Sequence, residues 1–309
     1  MATETPVGIV IVSYNTCDLL RQAIASALAS GVATEIVVVD NASHDDSAAL
    51  VAREFPQVEL IRNLANRGFA AATNQGLARM VALPFVLLLN PDARLLPGAL
   101  PMLLAFMQRH PRVGCVGPRL LFPDGRFQAA AWRFPSLWMT IFDLFPPRGP
   151  LLGRLSASRL NGRYRAEHGV APFPVDHPLG AAMLLRRATL DDIGGLDEGY
   201  WMYVEEVDWC RRAKAAGWAI WQVPQARVVH VAGASSQQCR GRSFVALHRS
   251  RLRFFARWEA PQVVARQRVL LRLGMLWATL RSFAAWQRGT LSRDALRSSL
   301  AAFGAVTRL

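Results

Sequence analysis

The chain holds a single lysine, Lys214, among 36 basic residues, and after residue 235 it holds only two acids, Glu259 and Asp294. Four cysteines, Cys17, Cys115, Cys210 and Cys239, are spread over 309 residues. None falls in a CxxC spacing, which excludes a zinc ribbon and a dithiol redox motif. Reduced thiols fit a cytosolic protein. The N-terminus MATETPVGIVIVSYN lacks the basic segment that opens a secretory signal. No uncharged apolar run reaches the roughly 18 residues that a membrane span requires. No GxGxxG follows the first β-rich run and no GxxxxGKS/T occurs, which argues against a dinucleotide dehydrogenase and a P-loop NTPase. Charged residues are only 19% and hydrophobic residues 52%, a balance that excludes a disordered chain and supplies a sizeable core.

What is present is unevenly placed. Of the formal net charge of +14, residues 236–309 carry +12, so residues 1–235 are close to neutral at +2. The arginine bias fits a GC-rich genome. Arginine also binds phosphate bidentately, so the basic region equally suggests an anionic partner. A nucleic-acid binder would interleave basic and aromatic residues over the fold itself, and the neutral first part disfavours that.

Val7–Ser13 and Glu35–Asp40 read as buried strands, and Val58–Arg62 and Phe85–Asn90 as a third and a fourth strand. Between and after them, 15–30, 45–55, 68–80 and 98–110 read as helices, followed by a short apolar run at Val113–Gly117. Alternation of this kind means βαβ units and a parallel sheet, with its ligand edge at the strands' carboxyl ends. Residues 132–175, rich in Pro, Arg and aromatics, read as an insertion or lid with one short helix around Trp138, Phe142 and Phe145. Regular structure resumes with a strand at Gly180–Arg186, a helix at Glu205–Gly217, and two short strands at 218–223 and 227–231. The expected organisation is a catalytic domain over 1–235 and a basic helical region over 236–309.

Three polar points fall at strand ends: Ser13-Tyr14-Asn15, Asp40-Asn41 and Asn90-Pro91-Asp92. Asp40 could accept hydrogen bonds from a base or ribose, and Asp92 could hold a divalent metal against a diphosphate. The plainer reading is a helix cap and a turn. Glu205, Glu206 and Asp208 crowd a helix start among the aromatics Tyr200, Trp201, Tyr203 and Trp209. They read either as N-terminal capping or as a general base in a sugar-lined pocket. His230, at a strand end before a small-residue loop, reads either as structural or as a group near a phosphate or metal.

Taken in order, VSYN at 12–15, VVDNAS at 38–43, NRGFAAATNQG at 66–76, LLLNPDA at 87–93, GAAMLLRR at 180–187, GGLDEGYWMYVEEVDWCRR at 194–212 and HVAGAS at 230–235 resemble the inverting glycosyltransferases of family 2. The resemblance spans roughly residues 7–258 and is nearest to the rhamnosyltransferase-like enzymes of bacterial polysaccharide and O-antigen assembly. It implies a GT-A fold, a nucleotide-sugar donor (dTDP-rhamnose preferred), a glycan or polyprenyl-linked acceptor, and Mg2+ or Mn2+. It also implies roles. Asp40 would bind the base, with Ser13, Tyr14, Asn15, Asn66, Gly68, Asn74 and Asn90 along the nucleotide pocket. Asp92 would hold the metal with support from His230. Glu206 would be the base. Gly180, Trp201, Glu205 and Asp208 would lie on the acceptor side. Two positions depart from the family pattern: Asn90 replaces the first Asp of DXD, and Glu206 replaces the customary Asp.

In the basic region, Arg249, Arg253 and Arg257 form a cationic stripe, while Arg251 lies on the opposite, apolar face. Arg251 could reach the donor diphosphate, pair with an acid or extend to solvent. Leu270, Leu273, Trp277, Leu280 and Ala284 recur at helical spacing. That stripe could lie on an anionic membrane, dock on the catalytic domain or pair two subunits. The expectation is a cytoplasmic enzyme, peripheral on the inner membrane's cytoplasmic face. The competing reading is a basic nucleic-acid-binding protein or an inactive polysaccharide-assembly scaffold.

Overall fold

Runs of β-branched residues too short for helices set the first half of the chain. They form β1 (Val7–Ser13), β2 (Thr34–Asp40), β3 (Glu59–Arg62), β4 (Phe85–Leu89), β5 (Ala93–Leu95) and β6 (Val113–Leu121), as seen in a computed structural model. Between them lie α1 (Cys17–Leu28), α2 (Ser47–Glu54), α3 (Phe69–Leu77) and α4 (Ala99–Arg109). Then follow β7 (Phe127–Gln128), β8 (Ala131–Trp132), α5 (Leu137–Leu144), β9 (Phe173–Pro174), β10 (His177–Pro178), β11 (Ala182–Arg186), α6 (Arg187–Ile193), α7 (Glu205–Ala215) and β12 (Ala219–His230). Three helices close the chain: α8 (Arg240–Trp258), α9 (Pro261–Gln287) and α10 (Arg293–Thr307). The structure describes residues 5–147, 149, 153–233 and 240–309.

The main sheet runs β3-β2-β1-β4-β11-β6-β12-β5. The first four of these strands are parallel. β11 enters antiparallel between β4 and β6, and β12 returns parallel to β6. The sheet is therefore mixed but mostly parallel. Its core is Ile9, Ile11, Val38, Leu87 and Leu184, packed under helices that contribute Leu20, Ile24, Leu50, Leu100 and Leu103.

The chain divides into two compact units. The first comprises 1–133, 164–201 and 205–235; the second comprises 134–163, 202–204 and 236–309. The segment 132–175 is thus shared rather than one insertion. α5 belongs with the C-terminal helices, where Gly274 lies against Leu144 and Arg251 pairs with Asp143 at 2.6 Å. The second unit has its own small core of Leu252, Leu271, Met275 and Val306. The boundary expected at residue 235, with Ala234, Ser235 and Cys239, lies outside the described residues.

Several expectations need correction. The two strands read at 218–223 and 227–231 are one strand, β12, with a register shift between Val223 and Arg227. Pro224 sits in that shift and cannot donate to the ladder, so an irregularity looked like a gap. The first helix starts at Cys17 rather than Asn15, because Asn15 has φ 51°, outside the helical region. In α9, Leu273, Trp277 and Leu280 are exposed, and the helix packs by Val264, Gln267, Leu271, Gly274 and Met275, an arrangement that leaves the stripe's membrane and subunit readings open.

Candidate active site

The loops after β1 and β2 are bound to each other. Ser13 and Asp40 are register partners at the strand ends. The Asn15 backbone N–H donates to Ser43 Oγ at 3.0 Å, and Asn15 Oδ1 accepts from the His44 N–H at 2.7 Å. The Ser13 hydroxyl bonds Thr16 at 3.0 Å, and Tyr14 is half-buried beside it. Asp40 is buried; its Oδ2 accepts from the Ser43 N–H at 3.2 Å, and its buried Oδ1 has no hydrogen-bond partner among the described residues. A buried carboxylate oxygen with no donor is costly, so this is a place for a ligand N–H or O–H.

Asn41, which sequence reasoning noted only as a neighbour of Asp40, is the hub of this edge. Its Nδ2 donates to Asn66 Oδ1 at 3.0 Å and to the Gly68 carbonyl at 3.2 Å. Its Oδ1 accepts from Asn63 Nδ2 and the Arg67 N–H. Asn63, at the end of β3, exchanges two further bonds with Gln75. Asn63 follows β3, whose residues are exposed or half-buried, so the rule that found Asp40, a polar residue ending a buried strand, does not reach it. Asn66 Oδ1 accepts from the Gly68 N–H as well, closing the loop. Gly68 itself has φ +84°, and a Cβ there would stand 2.4 Å from the Trp201 carbonyl oxygen. That carbonyl accepts from the Phe69 N–H at 2.7 Å, so the loop opening α3 is seated on the backbone at Trp201.

Asn74 is placed differently from the expectation. Its Nδ2 donates to the Leu196 carbonyl at 2.8 Å and to Glu198 at 3.0 Å, and its Oδ1 accepts from the Leu196 N–H. The amide is occupied in tying α3 to the loop before Tyr200. Asn90 lies just past β4; its N–H donates to the Ala181 carbonyl, and its own carbonyl accepts from the Ala93 N–H, turning the chain so that Asp92 precedes β5.

β5 pairs antiparallel with β12, with Ala93 opposite His230. This register brings Asp92 Oδ1 to 3.4 Å from His230 Nε2, and both side chains are buried. Nδ1 of His230 meets Gln128 Oε1 at 3.1 Å. A carboxylate oxygen and an imidazole nitrogen held this close are both groups that can ligate a divalent cation. One imidazole nitrogen and one carboxylate oxygen make two ligands; no cluster of three or more His, Cys, Asp or Glu that could hold a metal occurs among the described residues. Further ligands must come from substrate oxygens or water. Gln128 carries no sequence signal, because β7 is too short for periodicity.

Glu205 and Glu206 open α7. Tyr203 and Val204, just before them, have φ of 67° and 70°, conformations costly for residues with a Cβ and typical of functional turns. Glu205 is buried, and its Oε2 finds no partner. Burial, reinforced by the charge of Glu206, holds its carboxyl well above the usual range. Burial therefore favours the protonated form of Glu205. Glu206 lies against Gly180, where a Cβ would approach its Cγ to 3.3 Å. Asp208 is fully buried and committed elsewhere: it pairs with Arg212 at 3.0 Å and accepts from the Tyr200 hydroxyl. Trp201 is 44% exposed. Arg251 belongs to the second unit, where it pairs with Asp143.

The chain as a whole is similar to known proteins. The chain is 30% identical to the N-acetylglucosaminyl-diphospho-decaprenol L-rhamnosyltransferase of Mycobacterium tuberculosis, over 94% of each chain. It is 32% identical to the rhamnosyltransferase WbbL of Escherichia coli over 27% of this chain and 31% of that one. Among solved structures, the mannosyltransferase PcManGT of Pyrobaculum calidifontis, in complex with GDP-Man and Mn2+, superposes with a TM-score of 0.55 at 16% identity, over 97% of this chain and 84% of that one, a likeness of fold. Residues 8–194 match the sequence profile Glycosyl transferase family 2. With more than half of the chain matched and a relative similar along nearly its whole length, the chain is a glycosyltransferase and belongs to glycosyl transferase family 2.

Proposed function

We propose that this enzyme transfers L-rhamnose from a nucleoside diphosphate, dTDP-rhamnose, to a glycan carried on a polyprenyl diphosphate, with inversion at the anomeric carbon. The acceptor class is that named for the mycobacterial relative. What supports the chemistry is that the first unit holds the unpartnered Asp40 Oδ1, the Asp92–His230 pair and the Glu205–Glu206 pair together.

Asp40 Oδ1 accepts from the imide N–H of the base. Asn41, Asn63 and Asn66 hold the loop that contains Gly68 in position, and Asn74 holds the loop before Tyr200 and Trp201. Asp92 and His230 would hold Mg2+ or Mn2+, which when bound neutralises charge developing on the departing diphosphate. Burial favours the protonated form of Glu205, which leaves the proton-accepting role to Glu206. Glu206 takes the proton from the acceptor hydroxyl as its oxygen bonds to the anomeric carbon. The anomeric carbon–oxygen bond to the diphosphate breaks on the opposite face, and the electron pair leaves with the nucleotide. One displacement gives inversion. The site of action is the cytoplasmic face of an anionic membrane, where a lipid-linked acceptor resides.

The test is transfer to a short-chain polyprenyl-diphospho-GlcNAc with dTDP-rhamnose, UDP-sugars and GDP-sugars compared, each with and without EDTA. Turnover with dTDP-rhamnose that EDTA abolishes and Mn2+ or Mg2+ restores is expected. Full turnover in excess EDTA, or none with any donor, would overturn the reading.

A further inference from the structure

α9 is apolar on two sides. One side, Val264, Leu271 and Met275 with Gly274, is packed inside the second unit. The other carries Val269, Leu273, Leu276, Leu280 and Phe283, each between 41% and 58% exposed. Their spacing of 4, 3, 4, 3 keeps them on one straight line about 21 Å long. Trp277 lies beside the line, and Trp286 stands near its end; both are exposed. A contiguous apolar strip on a surface marks an interaction site.

The charges around the strip select its occupant. Arg266 and Arg272 stand about 60° to either side of it on the helix, with Arg268 and Arg281 farther round. No acid occurs anywhere in 261–287. A second copy packed on the same strip would face arginine rows with no carboxylate on the helix to answer them. A bilayer rich in anionic headgroups answers all of them, while the strip enters the acyl boundary and the tryptophans sit at headgroup level. Among the described residues no helix is long and apolar enough to cross a membrane, so the helix would lie on the surface.

We propose that the outward face of α9 docks the enzyme on an anionic lipid bilayer, with Val269, Leu273, Leu276, Leu280 and Phe283 inserted and Arg266 and Arg272 on the headgroups. The proposal rests on the reading that the acceptor is lipid-linked.

The experiment is flotation of the full chain with vesicles of phosphatidylcholine alone, or of phosphatidylcholine and phosphatidylglycerol in equal parts. The parent should float with the anionic vesicles, weakly with the neutral ones, and less as salt rises. The triple variant Leu273→Gln/Leu276→Gln/Leu280→Gln should lose at least tenfold in partitioning while its circular dichroism stays parental, because these side chains are exposed. Arg266→Gln/Arg272→Gln should lose binding to anionic vesicles only. Parental flotation of the triple variant would overturn the proposal. A lipid-free dimer of the parent, seen by analytical ultracentrifugation and abolished in the triple variant, would overturn it in favour of a second copy. Flotation involves no sugar transfer. A chain that floats as described but transfers nothing refutes the enzymatic reading alone, and parental flotation of the triple variant with intact transfer refutes this surface alone.

Discussion

Replacing Glu205 by Gln should change how stability depends on pH, in a direction the structure dictates. In the folded chain burial, and then the charge of Glu206, raises the Glu205 carboxyl well above its ordinary value of 4.5. Above pH 4.5 the unfolded chain releases this proton while the folded chain retains it. Each pH unit in that window therefore costs the folded state about 1.4 kcal/mol, until the raised value is passed. A glutamine cannot titrate, so Glu205→Gln removes the slope. A buried amide short of partners adds a constant penalty of about 1–3 kcal/mol, so the diagnostic quantity is the difference in slope, not the offset. Urea unfolding of parent and variant between pH 5 and pH 8 measures it. The variant should gain on the parent steadily as pH rises. Glu206→Gln removes the second cause and should end the parental slope at a lower pH. Parallel stability curves for Glu205→Gln and parent would refute the assignment of the proton to Glu205.

Gly68→Ala should destabilise the protein by about 2 kcal/mol or more and weaken donor binding, since its φ is left-handed and the new Cβ would meet the Trp201 carbonyl at 2.4 Å; parental urea unfolding would contradict this. His177 is buried, and its imidazole is pushed down to about 4, so below about pH 6.5 the unfolded chain binds a proton that the folded chain refuses. Stability should fall as pH drops from about 6.5 toward 4, and His177→Gln should flatten that fall; unfolding midpoints at pH 7 and pH 5 decide it. Asn74→Ala severs three hydrogen bonds to the 196–198 loop and should lower the melting temperature measurably, an effect that calorimetry would show or exclude.

β1, β2 and β4 of the parallel half were legible because they are largely buried and read as unbroken runs, VGIVIVS and EIVVVD being the plainest. The position of β11, antiparallel between β4 and β6, was not, because orientation depends on crossovers that side-chain pattern does not encode. Asp40, Asp92 and His230 stood out as polar residues ending buried strands, yet the contact between Asp92 and His230 arises only from the β5–β12 register across a long sequence separation. Asn74 and Asp208 looked available for ligands, while the fold spends both on internal contacts with Leu196 and Arg212. Helix α9 was legible in part: its stripe was found, but not which of its two apolar sides packs inward. A helix apolar on two sides has no single periodic face, and only packing reveals which side is inside.

The single-turnover rate of Glu206→Gln, with donor and lipid-linked acceptor saturating, tests the central claim most directly. The substitution keeps the side chain's shape against Gly180 and removes its basicity. The account predicts a fall of roughly 10²–10⁴ in rate with donor affinity unchanged, the range a positioned general base supplies. A rate within a few-fold of the parent, with Glu205→Gln bearing the loss instead, would contradict it.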